Sequence, residues 1–422
     1  MPHQVTVVRA FEILDSRSRP TLSVTVGLAG GLVGHADVPG GTPIGTGEAV
    51  ELRDGDPHRY GGQGTRTAVT HVNGEIADAL HGQDFTDQSS IDQLLIDLDG
   101  TPAKARLGAN ALLGVSMAFA RAAAAAARIP LWQHLNPPEV IPVLPVPHFT
   151  LIAGGARASN PLDFQEFMIA PYGAPTMAEA LRCGSQVYTA LRRILSAARY
   201  GTALGEESGF APDLVQPEDA LRLLVQAIDE AGYTPGRGGV AVALDAAATR
   251  LRQPDGRYRV CSQLLTSGDL IARYLQIAED FPLASLEDGL GEDDHDGWVR
   301  LGRALDGRVQ LVGDDAFVTD PARIARAAGE QIADTVLIKP NQIGTVTETL
   351  RAIRVCLESG YGAMVSHRSG ETTDSFIADL SVGSGSGQIK SGAPAGGERV
   401  AKYNRLLQIE DRHPGLPYGL GL

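Results

Sequence analysis

The chain has 422 residues, 43% hydrophobic and 20% charged, which is long enough for two or three domains and too apolar for an extended disordered chain. Its 36 basic residues against 50 acidic ones leave a formal charge of −14, which repels phosphate backbones and anionic lipid and argues against nucleic-acid or membrane partners. Cys183, Cys261 and Cys356 form no Cys-x-x-Cys spacing, so neither a disulfide framework nor a thiolate zinc site is expected; with no export or spanning segment evident, a cytoplasmic location is expected.

In chain order, residues 5–38 alternate, as in Thr21-Leu22-Ser23-Val24-Thr25-Val26, and predict an antiparallel meander. Stretches free of proline and rich in helix formers predict helices over 49–53, 66–80, 89–98 and 108–127. Together they make an α+β first domain over residues 1–137. It ends at a proline-rich segment, 137–147, that predicts an extended linker, so the second domain is expected over 138–422.

Beyond the linker, short apolar runs recur, each ending on a polar residue: Asp245, Glu287, Asp314, Lys339 and His367. The chain between successive runs holds a helix and two loops, which predicts parallel strands. Ionisable side chains at so many strand ends converge best in a closed β/α barrel, whose active sites form at the carboxyl ends of the strands.

Asp245, Glu287 and Asp314 make an all-oxygen set suited to a hard ion such as Mg²⁺, and without a histidine or cysteine beside them zinc is the weaker choice. Lys339 leaves the buried run Val336-Leu337-Ile338, where desolvation and a nearby cation favour a usable base. A lysine base beside a carboxylate-bound Mg²⁺ suits removal of a proton next to a carboxylate. Two further carboxylates are candidates for a general acid. Glu166 alternates with Phe164 and Met168 on an apolar strand face, where a buried salt bridge is the alternative reading, and Glu207 is flanked by glycines on an expected loop. His367-Arg368-Ser369-Gly370 and Lys390, which follows a Gly/Ser run, can hold an anionic group, with phosphate the natural candidate.

These residues sit in motifs that resemble the enolase family over nearly the whole chain. Among them are Glu12-Ile13-Leu14-Asp15-Ser16-Arg17, Glu51-Leu52-Arg53-Asp54-Gly55-Asp56, Ser285-Leu286-Glu287-Asp288-Gly289, Lys339-Pro340-Asn341-Gln342-Ile343-Gly344-Thr345 and Ser366-His367-Arg368-Ser369-Gly370-Glu371-Thr372. The resemblance implies an α+β lid domain on a β/α barrel, a homodimer or larger homo-oligomer, and Mg²⁺-dependent reversible loss of water from 2-phosphoglycerate. It implies Lys339 as the base at C2, and Glu207 with Glu166 as the acid at the C3 hydroxyl. It also implies Asp245, Glu287 and Asp314 as the first metal site, His367 as the active-site histidine, Lys390 and Gln165 as substrate contacts, and Arg368 with Ser369 as phosphate contacts.

Three positions depart from the family pattern. Pro43 stands where the family has a chelating serine, leaving Thr42 or Thr46 as alternative ligands; Arg157 stands in place of a histidine; and Ser208 replaces a glycine beside Glu207. The changes favour altered substrate recognition, with Arg157 pairing an additional carboxylate or phosphonate. The expectation is a specialised paralogue, such as a carboxyphosphonoenolpyruvate synthase of phosphonate antibiotic biosynthesis. A housekeeping enolase and a non-catalytic enolase-fold binding protein are the alternatives.

Overall fold

The computed structural model describes residues 3–41, 45–330 and 332–420. The predicted meander is present as β1 (His3–Leu14), β2 (Pro20–Leu28) and β3 (Leu32–Asp37), and β4 (Asp84–Phe85) pairs with the other edge of β1. Val24 and Val26 of the central strand are fully buried under the helix Ala109–Ala127. Contact is so close at Gly34 that a Cβ there would lie 2.0 Å from the Ala118 carbonyl oxygen, which explains a glycine inside a strand. The same helix is long and apolar enough to cross a membrane, but it is buried as a core helix. Its Arg121 gives two N–H groups to Asp374, at 2.6 and 2.7 Å, and so ties the first domain to the barrel.

The predicted helices at 66–80, 89–98 and 108–127 form, the first with a wide turn over Val72–Ile76. Residues 49–53 do not. The segment is too short to nucleate a helix, and its backbone is claimed from outside: Ala49 N–H donates to Gln342 O, Val50 N–H to Ala103 O, and Leu52 N–H to Asn110 Oδ1. The predicted linker is also shorter than expected. Pro147 lies inside a strand, which it can join because its carbonyl and side chain still pack while the missing N–H is tolerated at the strand's second residue.

The second domain contains β5 (Val146–Ala153), β6 (Glu166–Ala170), β7 (Ala241–Asp245), a small hairpin of β8 (Tyr258–Val260) and β9 (Gln263–Leu265), then β10 (Leu283–Glu287), β11 (Gln310–Gly313), β12 (Thr335–Ile338), β13 (Gly362–Ser366) and β14 (Gly387–Lys390). All but the hairpin close into a barrel in the order β10-β11-β12-β13-β14-β5-β6-β7. Surrounding helices start on side-chain caps, among them Thr176, Thr266, Asp294 and Thr345, each accepting a backbone N–H of the first turn. Strand β6 runs antiparallel to both neighbours while the other barrel pairs are parallel. This reversal places the start of β6, Glu166, beside the end of β7, Asp245. Phe164 precedes β6 and packs against Tyr274, so the predicted strand face shared with Glu166 begins only at Glu166.

Candidate active site

Six strand ends deliver ionisable residues, the five that the sequence pattern required and Lys390. Asp245, Glu287 and Lys390 close β7, β10 and β14, whereas Asp314, Lys339 and His367 are the residues next after β11, β12 and β13. All twelve residues singled out above line one cavity at this mouth of the barrel, and Glu48, Arg250, Asp288 and Asp315 line it with them. The lining carries eight carboxylates against five lysines and arginines, an excess that has to be met by further cations or by protons.

Two lysines divide the three proposed metal ligands between them. Lys390 Nζ donates to both oxygens of Glu287, at 2.9 and 2.8 Å, and to Asp245 at 3.1 Å, and it lies 3.3 Å from Glu166. Burial opposes a charged Lys390, yet Asp245, Glu166 and Glu287 outweigh it and raise its pKa well above the ordinary value. Asp314 instead pairs with Lys339 and accepts a hydrogen bond from Gln342 at 3.2 Å. Burial opposes its ionisation too, but Lys339 holds the carboxyl below its ordinary range. Gln165 Nε2 donates to Asp245 at 3.0 Å.

Among the described residues, ligand atoms of Asp288, Asp314 and Asp315, and separately of Glu166, Glu207 and His367, lie within 4.8 Å of one another. Asp288 also accepts the N–H groups of Asp314 and Asp315, at 2.9 and 3.2 Å, so it shapes the turn that presents Asp314. Burial, then the neighbouring Asp245, pushes Glu287 well above the usual carboxyl range, and Asp315 is pushed up to about 6 by burial and by Asp314. Buried oxygen donors with this surplus of negative charge fit a hard divalent cation.

Glu166 is pushed up to about 8, by burial first and by the charge of Glu207 second; Thr150 donates to it at 2.7 Å. Glu207 goes the other way. Burial opposes its ionisation, but His367, Arg157 and Arg399 outweigh burial and hold it well below the carboxylate range. Arg157 Nε lies 3.2 Å from Glu207, and its guanidinium is 3.6 Å from Glu206. The departure at Ser208 works against the backbone, since its φ of 65° is a conformation that glycine adopts freely and serine does not, and nothing in the structure explains the serine.

Arg368 is gripped from the first domain. It donates to both oxygens of Glu48, at 2.8 and 3.2 Å, and to Asn341 at 3.1 Å. Ser369 Oγ accepts from Arg17 at 2.8 Å, and Gly40 and Gly370 exchange backbone hydrogen bonds of 2.7 and 3.0 Å. Glu48 escaped the sequence reading, although it stands just before the motif that begins at Glu51; its only signal was a carboxylate in a glycine-containing loop. Thr42 and Pro43 lie outside the described residues, and the Thr46 hydroxyl donates to Glu292 at 3.0 Å.

Residues 5–135 match the family model described as the enolase N-terminal domain, and residues 141–415 match that of the enolase C-terminal TIM barrel domain. A protein named Enolase from Acidothermus cellulolyticus is 54% identical over 407 residues, covering 96% of this chain and 94% of its own. Enolase from Rubrobacter xylanophilus is 49% identical over 421 residues, covering 98% and 97%. Enolase 2 from Pseudomonas syringae pathovar syringae is 51% identical over 414 residues, covering 97% and 96%.

Proposed function

Because the chain belongs to the enolase family, whose members are carbon–oxygen hydro-lyases, we propose that it interconverts 2-phosphoglycerate and phosphoenolpyruvate with Mg²⁺. The observation that carries this reading is the gathering of a lysine, a carboxylate pair of opposed protonation and an anion-binding arginine in one cavity. In this assignment Arg368 and Ser369 hold the phosphate, and Lys390 with Gln165 orients the carboxylate. Lys339 in its neutral form takes the proton from C2. The C3–O bond then breaks, and the leaving hydroxyl takes a proton from the Glu166–Glu207 pair and departs as water. Glu166 is the member that keeps its proton near neutral pH, so the acid function belongs to the pair rather than to Glu207 alone. Asp245, Glu287 and Asp314 would hold Mg²⁺, which supplies positive charge to the enediolate when bound. The expected homo-oligomer is supported by the outer face of the first sheet, where Val7 and Phe11 stand about half exposed on one side of β1.

The test is ultraviolet detection of the enol phosphate formed from 2-phosphoglycerate with Mg²⁺. Turnover by the wild-type protein and none by Lys339→Ala is expected; equal activity in both would overturn the assignment.

One observation favours a second reading, the specialised paralogue. Arg157 and Arg250 both line the cavity in addition to Arg368, and they suit a substrate with one more anionic group than 2-phosphoglycerate. Feeble turnover of 2-phosphoglycerate that rises in Arg157→His would support it. Ordinary turnover, unchanged by that substitution, would refute it.

A further inference from the structure

Arg399 lies on the C-terminal helix Gly397–Arg412, behind the cavity wall rather than in its lining, and is fully buried. Burying a guanidinium is unfavourable unless its donors are matched; here four hydrogen bonds take the Nη1 and Nη2 protons, and Nε lies 3.3 Å from the Glu398 carboxylate. Nη1 donates to His367 Nδ1 at 2.6 Å and to the Arg368 carbonyl at 2.8 Å. Nη2 donates to the carbonyls of Ser369 at 2.8 Å and Glu206 at 3.1 Å. One side chain therefore ties the turn carrying Glu207 to the turn carrying His367, Arg368 and Ser369.

The bond to His367 has a chemical consequence. A guanidinium has no acceptor and keeps its proton, so the imidazole nitrogen facing it has to be the acceptor. With Nδ1 accepting, the proton of a neutral ring sits on Nε2, and Nε2 lies 3.4 Å from Glu207 Oε2. We propose that Arg399 is a positioning residue that fixes His367 as its Nε2–H tautomer, turns that N–H toward Glu207, and holds the two active-site turns in register. The charged groups facing His367 are Glu207 and Glu371 from the two turns and Arg399 from the helix. His367 thus presents its Nε2–H to the acid pair, 3.4 Å from Glu207, and does not take a proton itself.

The tautomer is read directly by ¹⁵N-histidine NMR of the wild-type protein, with His367→Asn identifying the signal. An unprotonated Nδ1 and a protonated Nε2, unchanged from neutral to mildly acidic pH, are expected. An Nδ1–H ring or an imidazolium over that range overturns the proposal, whatever the substrate. The kinetic arm rests on the proposed reaction. In Arg399→Met the ring should become a mixture of tautomers, and kcat should fall by at least about tenfold while KM changes much less. Arg399→Lys, which restores the charge and some of the donors, should recover part of both. Loss of kcat with the tautomer unchanged would reduce Arg399 to a structural residue and overturn the proposal. Failure of Arg399→Met to fold leaves the wild-type spectrum to decide. Absence of turnover in the wild-type protein refutes the proposed reaction and leaves the tautomer result standing.

Discussion

Lys390→Met removes one ammonium from the centre of three buried carboxylates while keeping most of the length of the side chain. In the wild-type protein Nζ serves Glu287 at 2.8 Å, Asp245 at 3.1 Å and Glu166 at 3.3 Å, each side chain at most 4% exposed. Removing one partner of a buried ion pair costs about 3–5 kcal/mol, because the charge left behind stays desolvated. For 422 residues the unfolding entropy is on the order of 0.9 kcal/mol/K, so Tm should fall by roughly 3–6 °C. The assay is calorimetric unfolding of both proteins in EDTA at several pH values. Burial already holds Glu166 and Glu287 above the usual carboxyl range, and without the ammonium both are held higher still and must keep their protons. The stability they contribute is then present below the ordinary carboxyl range and lost as pH rises, so the deficit should shrink as pH falls from 8 to 5. Mg²⁺ should return more stability to the variant than to the wild type, since it replaces the lost cation. Equal Tm values in EDTA, or a deficit independent of pH, would refute the reasoning.

Other expectations follow from the same geometry. Asp374→Asn leaves Arg121, which spans the two domains, without its bidentate partner and should cost about 3–5 kcal/mol in denaturant unfolding. Ser208→Gly should raise stability by up to about 1 kcal/mol, measured the same way, by relieving a left-handed serine whose backbone contacts it keeps. Burial lowers the His367 pKa from 6.5 to about 4, so its contribution is fully present above pH 6.5 and lost as pH falls through 4. Relative to His367→Asn, the wild-type protein should lose about 3 kcal/mol of stability over that interval.

The barrel was legible because five of its strands left the same signature, an apolar run followed at once by an ionisable side chain. Glu166 belonged to that mouth for a reason no periodicity reveals: β6 is reversed, so its first residue, not its last, reaches the site. Glu48 and Arg399 were invisible for a related reason. Each acts across a sequence separation of 320 or 32 residues on a turn that local patterns cannot pair with it. The helix expected at 49–53 failed because its backbone groups bond to other segments, which propensity does not register. The division of Asp245, Glu287 and Asp314 between two lysines is likewise a property of packing, since spacing alone places all three at one mouth.

The most direct test of the central claim separates the two halves of the reaction by following loss of the C2 hydrogen of 2-phosphoglycerate to solvent by NMR, alongside formation of the enol phosphate. Wild-type protein should do both and Lys339→Ala neither, while Glu207→Gln should keep C2 exchange and lose most of the elimination. Exchange that survives in Lys339→Ala, or that disappears in Glu207→Gln while Lys339 is intact, would contradict the assignment of base and acid.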